Sequence, residues 1–264
     1  MSEVDIKQNP KKKKKLTKFG KMLLDAILVI SLCVAAFSGY KLYQGKKEYK
    51  EAEKAYGDIR QASSTLNEKG KVIDWDSLFA ICNDVVGWIY LEDSTIDYPI
   101  VQAEDNDYYL RRLLDGTWNN SGSIFVDYEN YPGFVDKNNV LYGHHMLEAP
   151  YMFADVEKYR DQEFYDTHKV IEIYTPNDKR FLVYPLAGVY DTGSGDYVRL
   201  RFDGEQDFLD YVDSFVSRST FESDEQIEPG DRIVLLSTCE YKVNTVDGRY
   251  ALIGKIVEDT SWGN

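Results

Sequence analysis

Cysteine is nearly absent from this chain. Cys33, Cys82 and Cys239 are the only three in 264 residues. Three cannot all pair, and Cys33 lies in an apolar stretch, which argues against a disulfide framework. Histidine is equally scarce, with His144, His145 and His168 alone. The cysteines and histidines do not fall at the paired spacings of a zinc site, and no calcium-type loop stands out, so no metal and no other cofactor are expected. Charge is split unevenly along the chain. The first 21 residues carry eight lysines against two acids, a net +6 in a chain of net −14, which leaves −20 for the rest. An excess of that sign repels phosphate, so a nucleic-acid partner is not expected. It suits a soluble surface domain or a cationic substrate. There is no internal repeat, and the lysine tract is the one low-complexity segment.

Long apolar runs are also few, and the one present is placed tellingly. It extends from Met22 to Phe37 and continues in Tyr40, Leu42 and Tyr43. As a helix it spans a bilayer core of about 30 Å. The lysines before it put the N-terminus inside and the remainder outside. The expected organisation is therefore a cytoplasmic basic tail at 1–21, a transmembrane signal anchor at 22–43, a helical extracellular linker at 44–73 and a catalytic domain at 74–264. A cleaved signal peptide is the rival, with Ala35, Ala36, Ser38 and Gly39 as a small-residue site. In the linker, Leu42, Tyr49 and Tyr56 recur every seven residues beside Ala52, Ala55 and Ile59, an amphipathic helical pattern. Asp76 to Cys82 reads as a second, short helix.

From Val85 onward the chain is mainly β. VVGWIYLE, STIDYPIV, GSIFVDYEN, NNVLYGHHM, KVIEIYT, KRFLVYPLAGVY, DRIVLLSTC and RYALIGKIV are short, rich in Val, Ile, Tyr and Phe, and bounded by Gly, Asn, Asp or Pro. Eight such strands predict a closed or nearly closed barrel. Pro185 marks a bulge or an edge. GEQDFLDYVDSFVSRS breaks the pattern: Phe208, Leu209, Val212, Phe215 and Val216 have helical spacing. A helix is thus inserted between two late strands.

The chemistry-bearing residues sit at strand ends. Cys239 follows the apolar run Arg232 to Leu236 in LSTCEY, and its neighbours Ser237, Thr238 and Glu240 are polar. A lone cysteine at such a place is more often a small buried hydrophobe, yet a thiolate facing a groove is a nucleophile. His144 and His145 are adjacent in LYGHHM, so on a strand they point to opposite faces and only one can meet the thiol. His168 lies beside a turn and is peripheral. Arg249 follows the turn-like NTVDG, and an antiparallel hairpin returns it opposite Cys239. There its guanidinium can hold a developing oxyanion; a surface arginine paired to an acid is the plain alternative.

LSTCEY followed by Arg249, with LYGHHM upstream, resembles the class B sortases of Gram-positive bacteria. VVGWIYLEDSTIDYPIVQAEDNDYYL and GSIFVDYEN are similar to that family's early strands, and the likeness runs from about Asp74 to the C-terminus. The resemblance implies a sortase-type closed eight-stranded β-barrel, with N-terminal helices and a helix between its sixth and seventh strands, matching Asp207 to Arg218. It implies Cys239 as nucleophile, His144 as general acid and base, and Arg249 as oxyanion stabiliser, with Ser237 and Glu240 binding substrate. Tyr241 departs from relatives that carry Asp there, and no catalytic carboxylate is assigned. The implied reaction is transpeptidation through a thioester. The implied partners are secreted proteins bearing a sorting motif, of the Asn-Pro-x-Thr or Leu-Pro-x-Thr-Gly kind, and peptidoglycan or its lipid-linked precursor as amine acceptor. The N-terminal anchor implies the membrane as a further partner. Three alternatives stand beside this: a cysteine endopeptidase giving the same thioester to water, a pilus-polymerising enzyme, and a non-catalytic surface scaffold. A Cys82–Cys239 disulfide would favour the last.

Overall fold

A computed structural model describes residues 17–145, 151–192, 197–240 and 248–262, with the backbone alone at Thr192, Cys239 and Glu240. Residues 241–247, with Tyr241 and the first four positions of NTVDG, lie outside the described residues. The chain divides into two units, Met1–Lys47 and Glu48–Asn264. Helix α1, Lys18–Ser63, runs through the boundary. In the first unit it carries an exposed apolar stretch long enough to cross a membrane. In the second, Ala52 and Tyr56 are buried in the main core.

Helix α1 ends at Ser63, within the segment 44–73 expected as a helical linker. Residues beyond it form a hairpin of β1 (Ser64–Asn67) and β2 (Gly70–Ile73). The turn explains the change. Asn67 Oδ1 accepts the Lys69 and Gly70 amides at 2.8 and 3.1 Å, and Gly70 has a φ of 141°, which only glycine adopts freely. The short helix α2 follows at Trp75–Phe79, started by Asp74, whose side chain accepts the Ser77 amide.

All eight predicted strands form: β3 (Val85–Tyr90), β4 (Asp97–Val101), β5 (Ile124–Val126), β6 (Asn138–Gly143), β7 (Ile171–Tyr174), β8 (Arg180–Thr192), β9 (Arg232–Glu240) and β10 (Gly248–Glu258). They close a barrel in the order β10-β8-β7-β3-β4-β5-β6-β9. Two joints are parallel, β4 with β5 and β6 with β9. The predicted irregularity at Pro185 is a bulge: Ile253 pairs with Ala187 and Gly254 with Pro185, so Leu186 has no partner across the ladder. Between β6 and β7 the chain forms the short helix α3 (Gln162–Thr167), whose Tyr165 is buried in the main core.

The late strands do not alternate. Ile233, Val234, Leu235 and Leu236 are all buried. A strand apolar on both faces must be covered on both. Val234 and Leu236 face the main core with Trp88 and Ile100. Ile233 and Leu235 join a second core, closed by Phe208, Tyr211, Val212 and Phe215 of helix α4, Glu205–Val216. This is the inserted helix, between the sixth and seventh barrel strands. It fixes the outer face of β6, β9 and β10, the three strands whose ends build the site.

Gly143 closes β6 under a buried aromatic ring. A Cβ there would lie 2.6 Å from Phe153 Cδ2 and 2.7 Å from its Cγ. Gly143→Ala is therefore expected to lose about 1–3 kcal/mol of stability through overpacking, measured by denaturant unfolding.

Candidate active site

Strand register brings the three predicted positions level. In the parallel joint Gly143 pairs with Thr238, so the next residues, His144 and Cys239, leave the two strands side by side. In the antiparallel joint Arg249 pairs with Cys239. Adjacent strands lie about 4.8 Å apart, so position 239 stands between the histidine and the arginine. The side chains of Cys239 and Glu240 lie outside the described residues.

A cavity of about 520 Å³ opens here. His144, Arg249, Ser237 and Thr238 line it, together with Tyr197 and Leu110. Ser237, predicted to bind substrate, is buried and shares a 2.8 Å hydrogen bond with Tyr197 Oη. Beneath the cavity Asp127 accepts Asn106 Nδ2 and Tyr142 Oη, both at 2.9 Å. Tyr197, Leu110 and Asn106 were not among the candidates from sequence. They come from connecting segments with no strand or helix period, and only the fold brings them to the thiol position.

The histidine pair separates as adjacency requires. His145 Nδ1 lies 3.1 Å from Glu157 Oε2, and Glu157 is ion-paired with Arg160. His144 turns to the cavity, with Nε2 2.8 Å from the Leu110 carbonyl. A carbonyl only accepts, so Nε2 carries the hydrogen and the neutral ring keeps its lone pair on Nδ1. Burial holds the imidazole below its ordinary range, with help from the Arg111 and Arg249 charges and partial opposition from the Leu110 bond. His168 stacks on Phe164, 3.8 Å between centroids, remote from the cavity lining. Cys82 is a buried free thiol 3.1 Å from Tyr109 Oη, so it makes no disulfide with Cys239. Among the described residues no group of three His, Cys, Asp or Glu side chains comes together to hold a metal.

The depressed histidine has a measurable consequence. In a Cys239→Ala variant, which removes any thiolate, His144 should titrate below about 6.5 when followed by NMR. The unfolded chain takes up this proton first, so the site's contribution to stability is complete above the unfolded value. It is lost as pH falls toward the folded one, visible as a falling denaturation midpoint.

Comparison with known proteins agrees with this geometry. The family model described as Sortase domain matches residues 89–257. Sortase B of Listeria monocytogenes is 34% identical over 238 residues, covering 88% of this chain and 96% of the relative. Sortase B of Staphylococcus aureus is 31% identical over 244 residues, covering 90% and 98%. The structure of a Staphylococcus aureus sortase B–substrate complex superimposes with a TM-score of 0.70 at 28% identity, over 81% of this chain and all of that one. A barrel closed in this order, with its helix inserted before the cysteine strand and its relatives matched over most of their length, belongs to the sortase family, and within it to class B.

Proposed function

We propose that the chain is a membrane-anchored cysteine transpeptidase that cuts a C-terminal sorting motif in secreted proteins and joins the new acyl end to a peptidoglycan amine. The observation that carries this is the alignment of His144, Cys239 and Arg249 across three adjacent strands. The family supplies the reaction class, and the Staphylococcus aureus relative has been solved as a substrate complex.

The steps follow from the groups present. The Cys239 thiolate attacks the motif's carbonyl carbon. Arg249, across the ladder, donates to the oxygen as it becomes negative. His144, protonated at both nitrogens, gives its Nδ1 proton to the departing amine while Nε2–H stays on the Leu110 carbonyl. The resulting thioester is attacked by an acceptor amine, with Nδ1 now taking the proton. A histidine held low in pKa is protonated in only a fraction of molecules at neutral pH. The competent thiolate–imidazolium pair is correspondingly a minority form.

The long exposed apolar helix preceded by lysines supports the anchor, with the N-terminus inside and the barrel outside. Peptidoglycan or its lipid-linked precursor is the acceptor that fits an enzyme held there.

The test uses a panel of sorting peptides of both kinds with and without an amine. Cys239→Ala should give no product. His144→Ala and Arg249→Ala should each lower kcat/KM by about a hundredfold or more. Amide product should appear only with amine present. Hydrolysis as the sole outcome with amine in excess would replace the transferase by an endopeptidase.

A further inference from the structure

The Leu110 carbonyl that holds the imidazole is itself held from an unexpected direction. Leu110 is the middle residue of the 3₁₀ turn Tyr109–Arg111. Ser123 grips both sides of that turn. Its amide donates to the Tyr109 carbonyl at 3.0 Å, and its hydroxyl donates to the Arg112 carbonyl at 2.8 Å. Gly122, with a φ of 61°, presses directly on the turn: a Cβ there would lie 2.6 Å from the Leu110 oxygen. The carbonyl thus has little room to rotate away from His144.

The Ser123 hydroxyl receives its own hydrogen bond from α1. Tyr56 Oη lies 2.7 Å from Ser123 Oγ and 3.0 Å from the Gly122 carbonyl. The single Ser123 hydroxyl hydrogen goes to Arg112 and the Gly122 carbonyl can only accept, so the single Tyr56 hydrogen is shared between Ser123 Oγ and the Gly122 oxygen as a three-centre bond. Two helical turns earlier, on the same side of α1, Glu48 holds the same loop. Its carbonyl accepts Asn119 Nδ2 at 3.0 Å, and its carboxylate accepts Asn120 Nδ2 at 2.6 Å. The Tyr56 ring is 2% exposed and packs edge-on to Tyr98 at 5.3 Å, so the hydroxyl cannot swing out to water.

We infer that Tyr56 is a positioning residue for His144: through Ser123 and Gly122 it fixes the Leu110 carbonyl that sets the imidazole's tautomer and orientation. Helix α1 is then part of the catalytic scaffold. The relay runs from the Tyr56 O–H, shared by Ser123 Oγ and the Gly122 carbonyl, through Ser123 O–H to Arg112 and Ser123 N–H to Tyr109, and the turn so held presents the Leu110 oxygen to Nε2–H. The inference rests on the catalytic reading of His144, but it is measured on the ring itself.

Tyr56→Phe removes the hydroxyl and keeps the packed ring. The full-length chain in detergent contains three histidines, so nitrogen-15 spectra of a Cys239→Ala background resolve them. The parent should show His144 with its hydrogen on Nε2. Tyr56→Phe should mix the tautomers and lower the His144 titration midpoint, leaving His168 unmoved. Ser123→Ala should do the same, and the double variant should be no worse than either single one. In the enzyme with Cys239 intact, Tyr56→Phe should lower kcat by about tenfold with KM within about twofold. An unchanged tautomer and titration in both variants would overturn the inference, whether the rate falls or not, because a purely structural tyrosine lowers the melting temperature without touching the ring. An altered ring together with a fully active His144→Ala variant would instead remove the catalytic role of the histidine and leave the relay standing.

Discussion

The two-sided register of β9 is the constraint on which the rest depends. On one side β9 runs parallel to β6, with Gly143 opposite Thr238. On the other it runs antiparallel to β10, with Arg249 opposite Cys239. A slip of one residue in either ladder would turn every side chain of the slipped strand to the other face. It would also carry the histidine or the arginine away from the cysteine's level. The buried residues of β9 divide between two cores, Val234 and Leu236 in one and Ile233 and Leu235 in the other, so the observed register seats both faces of the strand.

The second core explains why a helix is inserted where it is. α4 adds no side chain to the cavity; its contribution is to close the outer face of β6, β9 and β10. The strand ends beyond its reach are where polar residues begin: Ser237 and Thr238 on β9, His144 after β6 and Arg249 on β10. The boundary between covered and uncovered strand is therefore also the boundary between core and site. Loop residues complete the wall there, Tyr197 on Ser237 and Leu110 on His144.

Much of this was legible in the sequence, for identifiable reasons. Strand existence followed from short β-branched and aromatic runs between turn residues, and all eight formed. The α4 period was equally plain, since five apolar residues fall on one face. The cross-strand meeting of Cys239 and Arg249 followed from hairpin geometry alone, and the separation of His144 from His145 from strand alternation. What stayed hidden depends on contacts between segments distant along the chain. The hairpin after Ser63 was missed because Asn67 and Gly70 lie in a charged stretch that continues a helical composition. Tyr56 carried a helical period and nothing more; its bond to Ser123 exists only once the loop at 119–123 is in place. Tyr197 belongs to a segment without period, so its neighbour Ser237 was named and it was not.

The order of the barrel has a consequence for when reactivity appears. The strands carrying the three aligned positions are the fourth, seventh and eighth of the barrel, and the joint between β6 and β9 is parallel, bridging a long stretch of intervening chain. Such distant pairings form late, because loop entropy must be overcome before they contribute. Ribosomes deliver the N-terminal end first, so β10 is also the last strand to be made. A partly folded molecule therefore pairs the cysteine and arginine positions on a local hairpin, and gains the histidine position only when the parallel joint closes.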